Sequence, residues 1–77
     1  MGQNEELHIG KEIQRVVKAQ GRKTAWLAEQ IGCNRNNIYN IYTRDWIDTK
    51  TLLHISNALE YDFFAIYSKQ IKSKSAK

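Results

Sequence analysis

Between positions 35 and 40 the chain places Arg35, Asn36, Asn37, Tyr39 and Asn40: a guanidinium fork, three primary amides and a phenol. These groups share one competence, the reading of flat hydrogen-bonding edges. An amide donates and accepts side by side, which matches N6 and N7 of adenine, and a guanidinium donates twice in parallel, which matches O6 and N7 of guanine. The sequence shows no arrangement of Ser, His and acid, no glycine-rich phosphate loop and no paired carboxylates, so an enzyme is not expected. Cys33, with only His8 and His54 as other soft ligands, matches no zinc spacing and has no partner for an internal disulfide. No metal and no cofactor are expected.

The same residues are expensive where they stand. Asn34, Asn36, Asn37 and Asn40 fall in the segment IGCNRNNIYNIY, residues 31–42, and Asn disfavours helices because its amide competes for nearby backbone groups. Asn34 is suited to a helix cap. The other three cost roughly 2 kcal/mol together relative to Ala, and inward-pointing Ile38 and Ile41 offset this by about 1.5–3 kcal/mol each on burial. With those two turned inward, Arg35, Asn36, Tyr39 and Asn40 occupy the outer face of a helix and Asn37 lies toward its edge. A merely solvated face is the rival reading, but Glu, Lys or Gln would fill it at lower cost.

The elements that must position this segment follow from helical spacing. Ile9, Ile13, Val16 and Val17 define a first helix over residues 8–20, stopped at Gly21, with Lys11, Arg15 and Lys18 outside. Thr24 to Ile31 forms a second helix, with Leu27, Ala28 and Ile31 inward, that ends at Gly32. A third, capped by Asn34, runs to Tyr42. Asp48 or Thr49 caps a fourth with the stripe Leu52, Ile55, Ser56 and Leu59, and Asp62 caps a short fifth built on Phe63, Phe64, Ile66 and Tyr67. The class is all-α, a compact bundle of four to five short helices in one domain over residues 8–68. Residues 1–7 are expected to be a flexible segment and residues 69–77 a fraying basic tail.

Only "GCN" separates the second and third helices, which forces a sharp turn that Gly32 suits. Ala28 permits a close crossing. Numbered from Thr24, the unit 24–43 has Leu27, Ala28, Ile31, Cys33, Ile38 and Ile41 at its inward places and Gly32 ninth. This resembles the helix-turn-helix pattern, and with the flanking helices the chain resembles, over about residues 8–67, the lambda-repressor-like and Cro type of DNA-binding domain, the Xre family. The resemblance implies sequence-specific binding of double-stranded DNA by a small transcriptional regulator, with the third helix in the major groove. It assigns base contacts to Arg35 and Asn36 first, with Asn37, Tyr39 and Asn40 beside them. Phosphate contacts fall to Thr24, where the family often has Gln, and to Arg22, Lys23, Asn34, Thr43 and Arg44.

Charge along the chain is uneven. Residues 1–10 carry −2, 11–44 carry +5, 45–67 carry −3 and 68–77 carry +4, within a net +4. A positive segment next to an acidic one suits an anionic polymer, although a solvated surface with a lysine tail has the same signature. The stretch EYDFFAIY offers Tyr61, Phe63, Phe64, Ile66 and Tyr67, more aromatic surface than one short helix easily buries. It suggests a homodimer interface that would set two third helices about 34 Å apart, or, as the alternative function, a protein-interaction module of antitoxin type. Cys33 is expected as a small inward hydrophobe, Trp46 as an anchor of its loop over the core, and Trp26 as a packing or contact residue. There is little room for a ligand pocket. With no long apolar run and no signal-like amino terminus, an intracellular, nucleoid-associated protein is expected.

Overall fold

A computed structural model describes residues 7–75, with side chains through Ile71. Five helices follow one another: α1 (Ile9–Ala19), α2 (Thr24–Ile31), α3 (Arg35–Tyr42), α4 (Thr49–Leu59) and α5 (Phe64–Ser75), with no strand among the described residues. The expected segment at residues 1–7, apart from Leu7, and the last two residues of the tail lie outside the described residues.

Local chemistry sets most helix ends. The His8 imidazole Nδ1 accepts from the Lys11 amide at 3.1 Å to open α1, and Gly21 follows its end at φ 71°. Gly32 closes α2 at φ 77°, its N–H reaching the Ala28 and Glu29 carbonyls. Asn34 Oδ1 then accepts from the Asn37 amide at 3.1 Å, so the first Asn of the cluster is a cap. Asp48 caps α4, accepting from the Thr51 amide at 2.9 Å and its hydroxyl at 3.0 Å, and Asp62 accepts from the Ala65 amide at 3.1 Å ahead of α5. Glu60 ends α4 in the left-handed region at φ 53°, a strained position for a side chain with a Cβ. Beyond Ser68, where apolar content falls, α5 continues to Ser75. Lys69, Gln70 and Ile71 tolerate a helix and no Gly or Pro interrupts it.

One core joins the helices. Ile9, Ile13, Val16 and Val17 from α1 meet Leu27 and Ala28, Ile38 and Tyr42, Leu52, Ile55 and Leu59, with Phe63 closing it before α5. α2 lies between α3 and α4, and α1 packs on α3. Ile38 is fully buried, but Ile41, expected beside it, is only half-buried, and Tyr42 takes the deeper place. The inward stripe therefore leans to the i, i+4 pair, with the Tyr42 hydroxyl reaching that of Thr24 at the start of α2. Ile31 and Cys33 likewise lie half-buried at the core's edge.

Two aromatic expectations are corrected. Trp46 does not anchor its loop over the core: it is 60% exposed, and the half-buried Ile47 next to it packs inward instead. Phe63 is fully buried in the chain's own core, so it is unavailable to a second copy, whereas Tyr61, Phe64, Ile66 and Tyr67 are half-buried around it.

Gly10 sets where α3 ends. Its amide donates to the Arg44 carbonyl at 3.0 Å, so an orphan N–H of the first turn of α1 meets the chain just past α3. A Cβ on Gly10 would lie 2.5 Å from the Tyr42 carbonyl oxygen and 2.6 Å from that of Arg44, and closer still to that of Ile41. Only glycine permits this backbone approach. No helix among the described residues is long and apolar enough to cross a membrane.

Candidate nucleic-acid interface

α3 is held from beneath and bare above. Ile38 and Tyr42 fasten it to the core, and Arg35, Asn36, Asn37, Tyr39 and Asn40 are all exposed. The hydrogen bonds around α3 engage the Asn34 side chain, the Asn37 amide nitrogen of the backbone and the Asn40 carbonyl. They leave the Asn36, Asn37 and Asn40 side-chain amides and the Arg35 fork directed to solvent. Tyr39, 52% exposed, meets Tyr42 edge to face at 5.9 Å between ring centres, which orients its phenol at the rim of this face.

The residues expected at phosphates divide by what already holds them. Thr24 is half-buried and its hydroxyl lies 3.1 Å from the Tyr42 hydroxyl, tying the first residue of α2 to the last of α3. Burial pushes the Tyr42 phenol up from its ordinary pKa, and the Thr24 bond opposes that shift. The Thr24 side chain is therefore a clamp between the helices. Asn34 is committed to its cap, and Thr43 donates its hydroxyl to the Asn40 carbonyl at 2.7 Å. Their exposed surfaces remain accessible, but these polar atoms already have partners.

The charged members are freer. Lys23 precedes α2 as an exposed N-cap residue with no side-chain capping bond. Arg22 stacks over the half-buried Trp26, its guanidinium carbon 4.1 Å from the ring centre, and Arg44 lies over Trp46 at 5.4 Å. Both arrangements are cation–π contacts, which fix a long side chain without using its hydrogen-bond donors. The first of them gives Trp26 the part of holding Arg22.

Arg22 and Lys23 precede α2, Arg35 starts α3 and Arg44 follows α3. They bracket the amide face in sequence, and the only carboxylate within α2 or α3 is Glu29. The face offers donors and acceptors, and the cations stand before, at the start of and after the helices that carry it; these are the group types able to meet base edges and phosphates. No group of three or more His, Cys, Asp or Glu side chains suited to a metal ion is present among the described residues.

Gly10, Tyr42 and the exposure of Trp46 were not legible as functional features. Gly10 did carry a signal, since a glycine inside a helical stripe costs about 1 kcal/mol and implies a packing reason. A further feature is a groove of about 410 Å³ beside α3, reaching to Lys50 and His54 of α4, where the sequence suggests little space. Comparison of the chain with family models, curated proteins and solved structures returns no match.

Proposed function

We propose that this chain is a non-catalytic, sequence-specific binder of double-stranded DNA, a small transcriptional regulator that inserts α3 into the major groove. The observation that carries the reading is the concentration of Arg35, Asn36, Asn37 and Asn40 on one exposed helical face while Ile38 and Tyr42 hold that helix to the core. Asn at three helical positions forfeits stability that solubilising residues would retain. Base readout gives those amides a use. Arg35 and Asn36 contact base edges in this reading, Asn37, Tyr39 and Asn40 extend the contact, and Arg22, Lys23 and Arg44 meet phosphates. A second copy of the chain, joined through the half-buried Tyr61, Phe64, Ile66 and Tyr67, would read an inverted repeat.

The test is Arg35→Ala against wild type on the preferred duplex and on a scrambled one. Loss of a bidentate guanine contact should cost about 1–3 kcal/mol of discrimination, while salt-sensitive binding to the scrambled duplex persists. Equal affinity of both proteins for the preferred duplex refutes the assignment. A protein-interaction module of antitoxin type is the second reading, favoured by Ile71, which is 67% exposed on α5 one turn beyond Tyr67. It predicts a protein complex that survives Arg35→Ala and is lost in Ile71→Glu.

A further inference from the structure

We infer that the groove between α1 and α5 receives an extended acidic segment of a partner protein, one that alternates carboxylate and apolar side chains. The inference stands apart from the duplex-binding reading, because the groove shares no residue with the exposed face of α3 or with Ile71.

The groove has a volume of about 550 Å³ and draws on both ends of the described chain. Lys11 and Arg15 come from α1, Lys69 and Gln70 from α5, and the half-buried Leu7, Tyr61 and Ile66 supply the apolar part of the lining. Charge selects the occupant. The lining holds the three cations Lys11, Arg15 and Lys69 against one carboxylate, Glu12. That carboxylate is already engaged, its Oε1 accepting from Arg15 Nε at 3.2 Å and Nη2 at 2.9 Å. Among the described residues no carboxylate lies within ion-pair reach of Lys11 or Lys69. Cations gathered at one concave surface without a counter-charge repel each other in the free chain and complement an acidic partner. Lys18, on the same helix but outside the groove, is the ordinary solvated case.

Spacing selects the form of that partner. Lys11 and Arg15 stand four residues apart on α1, about 6 Å along the helix axis. On an extended strand, side chains two residues apart share a face and lie about 6.6 Å from each other. Carboxylates at alternate positions therefore meet Lys11 and Arg15 in step, while the apolar residues between them, which point the other way, meet Ile66 and Tyr61. Arg15 is set for this contact before it forms. The bonds from Nε and Nη2 to Glu12, with the Tyr61 hydroxyl 3.5 Å from Nη2, hold the side chain and leave the Nη1 donors for a ligand. A side chain ordered in advance loses less entropy on binding.

The experiment titrates the full chain with a short capped peptide that alternates glutamate and leucine, and with its glutamine counterpart, following backbone amide signals by NMR. The glutamate peptide should shift Lys11, Arg15, Lys69 and Gln70 saturably, leave Asn36 and Asn40 in place, and lose affinity as salt rises. The glutamine peptide should not bind. Lys11→Gln and Lys69→Gln should each weaken binding about two- to fivefold, the range of an exposed ion pair, whereas Lys18→Gln should leave it unchanged. Equal weakening by Lys18→Gln, or equal binding of the two peptides, overturns the groove assignment. Groove signals unmoved by the glutamate peptide overturn it as well. If Glu5→Gln with Glu6→Gln then displaces those signals in the free chain, the occupant is the chain's own acidic segment; if dilution of the free chain displaces them, it is a second copy. None of these outcomes bears on duplex binding, so the two readings fail separately.

Discussion

Replacing Gly10 by Ala sets two physical effects of opposite sign against each other. Helix propensity alone favours Ala inside α1 by about 1 kcal/mol. The structure places the new methyl 2.5 Å from the Tyr42 carbonyl oxygen and 2.6 Å from the Arg44 carbonyl oxygen, with the Ile41 carbonyl nearer. These are backbone atoms at the end of α3, so the helices must separate. Overpacking of this kind costs about 1–3 kcal/mol, and weakening the 3.0 Å bond from the Gly10 amide to Arg44 adds about 1 kcal/mol. After the propensity gain, a net destabilisation of about 1–3 kcal/mol remains. Each kcal/mol lowers the Tm of a domain this size by about 4–8 °C. Far-UV circular dichroism melts of wild type and Gly10→Ala read the difference, and amide spectra should move most at residues 41–45. An unchanged or raised Tm would refute the reasoning, because propensity would then outweigh the helix contact.

Further predictions concern the ends and clamps of the helices. Tyr42→Phe leaves the Thr24 hydroxyl without its 3.1 Å partner and should cost about 1 kcal/mol, read as a lower urea midpoint at constant m-value. Glu60→Gly relieves the left-handed strain at φ 53° at some cost in chain entropy, for a net gain of about 0.5–1 kcal/mol in thermal or urea unfolding. The Thr51 amide, then its hydroxyl, hold the Asp48 carboxyl below its ordinary pKa. A lowered folded-state pKa contributes stability that is present above the unfolded value and lost as pH falls through the folded one. Asp48→Ala should therefore lower the Tm at neutral pH, and its gap to wild type should close as the solution is acidified below the ordinary carboxylate range; a pH-independent gap would refute this.

What could be read from the residues was what is decided locally. α2 spans Thr24–Ile31 and turns at Gly32 because the apolar spacing, the glycine and the Asn34 cap act within a few residues. The Leu52, Ile55, Ser56 and Leu59 stripe of α4 follows for the same reason. The exposed face of α3 was legible once Ile38 was turned inward. The choice of Tyr42 over Ile41 was not, since both lie within one helical turn of Ile38 and only the position of the α2 start decides between them. Trp46 was misplaced because burying a large aromatic is the usual gain, whereas here the shorter Ile47 reaches the core. The contact at Gly10 joins residues 34 positions apart, beyond any local pattern.

The most direct measurement is selection from a random duplex-DNA library on the purified chain at near-physiological salt, with sequencing of the retained molecules. The reading of α3 as a base-contacting helix predicts an enriched motif, arranged as an inverted repeat with half-sites about 10 base pairs apart if two copies bind. Retention without enrichment, disappearing as salt rises, would contradict it and leave only the attraction of a positive surface for phosphate.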